Sequence, residues 1–146
     1  MGVILDTCIW GEVERGGLTP ADVEAVIKDE PVYLSPVTIA ELEYGIQRAP
    51  DEHSRIKRHS ALVRVRSKPC LTMDQATGEL VGKVIAKLES AGKATRNRLH
   101  DIWMACQALQ YNMGLLTLNT KDFKDIHGLR LIGIEKTKSK IARTVP

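Results

Sequence analysis

Short apolar runs rich in branched residues alternate along the chain with longer segments in which apolar positions recur every three or four residues. Runs of the first kind predict buried strands, and the spacing of the second kind predicts helices. Their alternation is typical of an α/β domain with a mainly parallel sheet. The predicted strands are residues 2–5, 32–35, 70–73, 114–118 and 129–134.

Helices are predicted between these strands, and two of them begin at clear capping sequences. Thr19 precedes Pro20 and Ser35 precedes Pro36, so each pair places a capping hydroxyl before a proline in the first helical position. The predicted helical segments are residues 18–30, 34–47, 51–68, 74–92 and 101–112.

Composition narrows the class of protein without indicating a function. The chain has 146 residues, 43% hydrophobic and 27% charged, which suits one domain with one sizeable core. A net charge of +3 is compatible with a polyanionic partner but does not demonstrate one. Residues 136–146 carry scattered Lys and Arg without periodicity, so we expect a frayed basic tail after a domain of residues 1–135.

The expected location is the cytoplasm. The N-terminus lacks a secretion signal, and no run approaches the roughly 18 apolar residues of a membrane span. Cys8, Cys70 and Cys106 are odd in number and lack metal-ligand spacing, so we expect buried thiols in a reducing compartment.

Acidic residues follow the predicted strands. Asp6 ends the first strand, although Asp is depleted in strands and seldom buried without a partner. Asn119 and Asp122 follow the fourth strand, Asp101 starts a helix, and Glu41 lies early in the helix after the second strand. Ligands of parallel α/β sheets bind outside the carboxyl ends of the strands, so the four acids are expected to converge there.

Each acid also has an ordinary explanation. Asp101 could be a helix N-cap, Glu41 a solvated helix residue, and Asp122 a loop acid or a cap. Asp6 is harder to explain, because an acid that ends a buried strand needs a helix N-terminus or a cation opposite it.

Convergence of the acids would favour a bound cation. Two carboxylates about 5 Å apart repel by roughly 3 kcal/mol at an effective dielectric near 20, so a cluster must take up protons or bind a cation. His100, beside Asp101, is expected at the surface, which leaves only oxygen ligands. Such ligands suit Mg²⁺ or Mn²⁺ better than Zn²⁺, and a hard cation with open water positions is what phosphodiester hydrolysis uses.

The segments around these acids resemble the motifs of PIN-domain ribonucleases, specifically the VapC-type toxins of bacterial toxin–antitoxin pairs. The resemblance runs from residue 1 to about residue 134. Trp103 and Met104 are bulkier than the residues usual at their positions. The extra acid that is frequent near the third motif is missing, so the number of bound metal ions, one or two, stays open. The similar segments are ILDTCIW, LSPVTIAELEYG, HDIWMACQA, LLTLNTKDF and IHGLRLI.

The resemblance implies a PIN-like three-layer sandwich, with a mainly parallel central sheet of about five strands flanked by helices. It also implies a Mg²⁺-dependent endoribonuclease toxin that hydrolyses RNA with a metal-oriented water, with Mn²⁺ able to substitute. Asp6 and Asp101 would bind the metal, and Glu41 and Asp122 would bind it directly or through water. Hydrogen-bonding residues expected around these four catalytic acids are Thr7, Thr117 and Asn119.

Two other functions remain open at this point. One is a nuclease of the same fold that acts on DNA or in RNA maturation. The other is a non-enzymatic phospho-acceptor module that binds Mg²⁺ around a phosphorylated Asp.

The resemblance further implies an antitoxin partner and a homodimer. An antitoxin arginine inserted among the acids is expected, because guanidinium groups pair with carboxylates in bidentate geometry. Dimer candidates, which could instead only complete the monomer core, are Ile56, Leu62, Val63 and Trp103. Candidate RNA-binding residues, which could instead form a solvated face, are Arg55, Lys57, Arg58, Arg64, Arg66, Lys68, Arg96 and Arg98.

Overall fold

The computed structural model describes residues 1–136, and its centre is a sheet of parallel strands. The strands are β1 Val3–Leu5, β2 Val32–Tyr33, β3 Gly114–Thr117 and β4 Arg130–Gly133. They lie in the order β2-β1-β3-β4, and every neighbouring pair is parallel. The predicted basic tail, apart from Lys136, lies outside the described residues.

The predicted strand at residues 70–73 is wrong, because this segment forms only one isolated parallel bridge, between Leu34 and Cys70. The Leu71 N–H donates to the Leu34 carbonyl at 2.8 Å, but pairing goes no further. The Thr72 carbonyl instead accepts a 2.7 Å hydrogen bond from the Tyr111 hydroxyl. The sheet therefore has four strands among the described residues, where about five were expected.

Helices connect the strands and cover both faces of the sheet. Ser35 and Thr19 cap their helices as predicted, by accepting backbone N–H hydrogen bonds from the first turn. The first helix, which follows Asp6 directly, was missed in the sequence. No helix within residues 1–136 is both long and apolar enough to cross a membrane. The helices are α1 Thr7–Arg15, α2 Pro20–Ile27, α3 Pro36–Gln47, α4 Glu52–Val65, α5 Gln75–Ser90 and α6 Leu99–Gln110.

Alternating side chains of the central strands divide the core into two layers. Ile4 and Leu115 pack on one face of the sheet, in a cluster that includes residues of α3 and α6. Val3, Leu5 and Leu116 pack on the other face, with residues of α1 and α2. A helix layer on each side of a parallel sheet confirms the predicted three-layer α/β sandwich.

All three cysteines are free thiols, but they are not all buried as expected. Cys106 is buried within α6, and Cys8 is half-buried at the start of α1. Cys70 is exposed because the single bridge places it at the edge of the sheet, beyond β2.

Candidate active site

Asp6 lies at the carboxyl end of β1, directly before α1, and is only 7% exposed. Its N–H donates to the Leu116 carbonyl at 2.9 Å, which keeps its backbone aligned with β3. The Thr117 hydroxyl donates to Asp6 Oδ2 at 2.7 Å, and the Cys8 thiol donates to the same oxygen at 3.4 Å. No hydrogen bond reaches Asp6 Oδ1 from any residue that the structure describes, so this oxygen remains available to a ligand.

Glu41 is joined to the start of α1 by a side-chain hydrogen bond. The Thr7 hydroxyl donates to Glu41 Oε1 at 2.8 Å, and it lies 3.1 Å from the hydroxyl of the fully buried Thr38. Thr7 follows Asp6 in sequence, so this contact brings the acid of α3 beside the acid of β1. The structure thus places Thr7 against a carboxylate, and it adds Thr38, which the sequence analysis missed.

Asp101 lies in the first turn of α6, two residues after the helix begins at Leu99. Arg98 occupies the N-cap position and Asp101 the third position inside the helix, so the ordinary explanation of Asp101 as an N-cap does not hold. Burial, followed by the negative charges of Asp6, Glu41 and Asp122, raises the pKa of Asp101 to about 6. The four acids predicted from sequence therefore lie close enough for their charges to interact.

Asp122 ends a single 3₁₀ turn, Thr120–Asp122, that follows β3. Its N–H donates to the Asn119 carbonyl at 3.0 Å. The Asn119 N–H in turn donates to the Thr117 hydroxyl at 3.0 Å, so Thr117 links this turn to Asp6. The Asn119 side chain is exposed and contacts none of the acids by hydrogen bonding within residues 1–136.

The chemistry of this cluster fits a hard cation with retained water. Within residues 1–136, no three Asp, Glu, His or Cys side chains stand close enough together to enclose a metal ion by themselves. Burial and the neighbouring Asp6 carboxylate raise the pKa of Cys8 to about 11, so this thiol stays protonated and is a poor ligand. Carboxylate oxygens suit Mg²⁺, which keeps several waters and needs only one or two direct protein ligands.

A cleft of about 440 Å³ opens beside two of the acids. Glu41 and Asp101 line one part of it, and residues 96–100 line the rest. His100 is exposed there, as predicted. Arg96 also borders the cleft, and its guanidinium makes no hydrogen bond with the part of the chain that the structure describes.

Several of the proposed RNA-binding arginines are engaged within the chain. Arg55 and Arg64 each pair with a glutamate, and Arg58 donates to a backbone carbonyl in α3 at 2.5 Å. Arg98 pairs with Asp125. The other candidates on or near α4 are exposed: Lys57, Arg66 and Lys68.

The proposed dimer residues separate into two groups. Leu62 is only 2% exposed and Trp103 packs against the α5 and α6 cluster, so both contribute to the monomer core. Ile56 and Val63 are 58% and 52% exposed. They lie seven residues apart on α4, which places them on one side of the helix.

Comparison with known proteins connects this arrangement to a family. Residues 3–129 match the family model described as the PIN domain. The chain belongs to the PIN-domain family. The family predicted from the acid-bearing motifs is therefore confirmed, whereas the catalytic and metal-binding roles of the individual residues stay predictions.

Two relatives named as VapC ribonucleases align over most of the chain. Ribonuclease VapC of Rickettsia bellii is 32% identical over 135 residues, which cover 92% of this chain and 97% of the relative. Ribonuclease VapC1 of Rickettsia felis is 30% identical, again over 92% of this chain and 97% of the relative.

Solved structures also share this fold. VapBC-1 from nontypeable Haemophilus influenzae superimposes with a TM-score of 0.76 at 25% identity, over 91% of this chain and 98% of the other. VapBC2 from Rickettsia felis, bound to a DNA fragment from its promoter, gives a TM-score of 0.79 at 24% identity, over 92% and 100%.

Proposed function

We propose that this PIN-domain protein is a Mg²⁺-dependent endoribonuclease of the VapC type, the toxin of a toxin–antitoxin pair. The observation that carries the proposal is the placement of Asp6, Glu41 and Asp122 near Asp101, a carboxyl whose pKa is raised to about 6 by burial first and then by the charges of these three acids. Relatives named Ribonuclease VapC, 30% and 32% identical over nearly the whole chain, support RNA as the substrate class.

The four acids would bind the cation, and Thr117 would orient one of them. Asp6 and Asp101 would hold the cation, with Glu41 and Asp122 binding directly or through water. A bound Mg²⁺ would supply charge neutralisation at the scissile phosphate and orientation of the attacking water. Thr117 restrains the Asp6 side chain by donating to Oδ2, which leaves Oδ1 without a hydrogen bond from the residues that the structure describes.

Thr7 has the corresponding role at Glu41. Its hydroxyl donates to Oε1 and holds this carboxylate beside Asp6. A carboxylate with one oxygen fixed by a hydroxyl and the other unengaged is restricted in rotation before any ligand arrives. Such preorganisation lowers the cost of ordering the site when the cation and RNA bind.

An antitoxin is the proposed protein partner, and a groove that Glu41 helps to line could bind it. Trp10, Leu42 and Val65 give this groove apolar surface, Lys57 contributes positive charge, and Glu41 lies on its wall. A peptide lying in this groove could direct an arginine to the carboxylates. The fold neighbours from Haemophilus influenzae and Rickettsia felis are described as VapBC assemblies, which supports such a partner.

Cleavage assays with RNA and DNA test the proposal against the two alternatives. The full-length protein is incubated with single-stranded RNA or DNA in Mg²⁺, in Mn²⁺ and in EDTA. We expect RNA cleavage in either metal, none in EDTA, and loss of cleavage in Asp6→Asn and Asp101→Asn. Glu79→Gln, which changes an exposed acid of α5, is the matched control.

The outcomes separate a metal-dependent enzyme that cleaves RNA from a DNA nuclease of the same fold and from a phospho-acceptor module. Cleavage of DNA alone would favour the DNA nuclease of the same fold. Absence of cleavage on any substrate, together with Mg²⁺-dependent labelling of Asp6 by a small phosphodonor, would favour the phospho-acceptor module. Cleavage that persists in EDTA, or in both Asn variants, would contradict the proposed metal site.

A further inference from the structure

Arg98 precedes α6 and reaches the loop that follows β3. Its Nη1 and Nη2 donate to the two carboxylate oxygens of Asp125, each at 2.8 Å, and Nη2 also donates to the Asp122 carbonyl at 2.6 Å. The side chains of Arg98 and Asp125 are only 17% and 22% exposed. A bidentate ion pair with this little solvent exposure restrains the two segments that it joins more strongly than an exposed ion pair does.

This ion pair joins the two elements that present Asp101 and Asp122. Arg98 lies three residues before Asp101, at the same end of α6. The body of the loop is anchored by the buried side chains of Phe123 and Ile126. Asp122 itself is exposed, and within residues 1–136 only its backbone forms hydrogen bonds, one of them the contact with Arg98.

We propose that Arg98 is a positioning residue that, paired with Asp125, holds Asp122 in a fixed place relative to Asp101. This inference deepens the proposed nuclease function and rests on it. It replaces the expectation that Arg98 contacts RNA, because both terminal nitrogens of its guanidinium are already bonded inside the chain.

The substitution Asp125→Asn distinguishes positioning of Asp122 by Arg98 from RNA binding by Arg98. The positioning role predicts a lower kcat, whereas the RNA-binding role predicts a lower Kd for RNA. If Arg98 bound a phosphate, this substitution would free the guanidinium and remove a negative charge near the cleft, so RNA would bind more tightly. If Arg98 positions Asp122, the same substitution loosens the loop and lowers turnover. Misplacement of a catalytic group by about 1 Å can cost a hundredfold in rate.

The chain contains a matched control at the amino edge of the sheet. Arg130 donates through Nη1 and Nη2 to the two carboxylate oxygens of Glu30, at 3.0 and 2.7 Å, and through Nη2 to the Gly2 carbonyl at 3.1 Å. This pair has the same bonding pattern as that of Arg98, but it lies where β1 and β4 begin. Arg130→Ala therefore reports the general cost of losing a bidentate pair and a carbonyl contact.

The experiment compares the wild-type full-length chain with Arg98→Ala, Arg98→Lys, Asp125→Asn and Arg130→Ala. Four quantities are measured: hydrogen exchange of backbone amides 119–125 in EDTA, kcat and KM for RNA in Mg²⁺, and the Kd of uncleaved RNA in EDTA. Arg98→Lys and Asp125→Asn keep the test informative if Arg98→Ala does not fold.

We expect Arg98→Ala and Asp125→Asn to accelerate exchange at residues 119–125 by about fivefold or more. We expect kcat to fall about tenfold to a hundredfold in both, with KM and the RNA Kd within about twofold of wild type. Arg98→Lys should recover part of kcat, because it keeps a charge but not the bidentate geometry. Arg130→Ala should leave exchange at residues 119–125 and kcat unchanged.

Three results would overturn the positioning role: unchanged exchange in Arg98→Ala, tighter RNA binding by Asp125→Asn at wild-type kcat, or an equal loss of kcat in Arg130→Ala. Absence of RNA cleavage by the wild-type protein would instead contradict the proposed nuclease function. The exchange measurements need neither RNA nor metal, so they still decide whether Arg98 fixes the loop.

Discussion

The Thr117 hydroxyl donates a 2.7 Å hydrogen bond to Oδ2 of Asp6, between the carboxyl ends of adjacent parallel strands. Both residues are buried, and the same hydroxyl accepts the Asn119 N–H at 3.0 Å. One side chain therefore orients an acid of the candidate site and also supports the start of the turn that carries Asp122.

Thr117→Val should impair both the folded state and the site. Valine has nearly the same shape but cannot form hydrogen bonds, so the Asn119 N–H loses its partner and Asp6 Oδ2 keeps only the weaker bond from the Cys8 thiol. The expected cost is about 1–3 kcal/mol in the free energy of unfolding. RNA cleavage should fall at least about tenfold if preorganisation of Asp6 contributes to turnover. Urea denaturation and single-turnover cleavage measure the two effects. Thr117→Ser, which keeps the hydroxyl, should retain most of both, and equal losses in Ser and Val would contradict the hydrogen-bond explanation.

The raised pKa of Asp101 predicts a pH-dependent stability of the metal-free protein. Its folded-state pKa, about 6, lies above the ordinary value of 3.8 for this side chain, so the folded state holds the proton more tightly. This contribution is fully present below about pH 4 and is lost as pH rises through 6. After a discount for partial exposure, about 1–2 kcal/mol should be lost by pH 8.

Asp101→Asn should therefore be more stable than the wild type at pH 8 in EDTA and nearly equal to it at pH 4. Urea denaturation at both pH values measures the difference in the free energy of unfolding. Mg²⁺ should stabilise the wild type at pH 8 more than the variant, because binding to the folded state adds stability. Equal stability of the two proteins at pH 8 in EDTA would show that neither burial nor repulsion destabilises the charged Asp101 carboxylate.

The strand edges explain why the acids could be predicted from sequence. Asp6 ends an apolar run, and the carboxyl ends of parallel strands must meet at one edge, so its convergence with Asp122 follows from topology alone. Asp101 lies in the first turn of α6 and Glu41 in the middle of α3, so their approach to this edge depends on how the two helices pack against the sheet. Local pattern and global fold agree at these positions.

Other features depend on contacts that no local pattern encodes. Arg98 and Asp125 are 27 residues apart, and nothing in either neighbourhood indicates that they pair. Residues 70–73 have the composition of a strand, but the Thr72 carbonyl bonds to the Tyr111 hydroxyl and ends the pairing after one bridge. Helix α1 begins at Thr7, directly after β1, and within the described residues the Asp6 side chain does not cap it, so no capping sequence marks its start.

The exposed apolar pair on α4 predicts a homodimer contact. Ile56 and Val63 are more than half exposed on one side of the helix, whereas Leu62 belongs to the core. Ile56→Asp combined with Val63→Asp should shift the sedimentation mass from two chains to one at micromolar concentration, without a change in circular dichroism. Ala86→Asp combined with Ser90→Asp, at exposed positions of α5, is the control for two added charges. A wild-type mass of one chain would contradict the dimer.

Competition between Mg²⁺ and the antitoxin is the sharpest consequence of an arginine inserted among the carboxylates. A guanidinium at Asp6 and Glu41 would occupy the oxygens that the cation needs, so each ligand should reduce the apparent affinity of the other. Antitoxin affinity is measured across a Mg²⁺ titration at constant ionic strength, because salt alone weakens charged interfaces. Affinity should fall as Mg²⁺ rises, and this dependence should disappear when the antitoxin's arginine is replaced by alanine. An affinity independent of Mg²⁺ would mean that the antitoxin inhibits by covering the groove beside Trp10 and Lys57, leaving the carboxylates unoccupied.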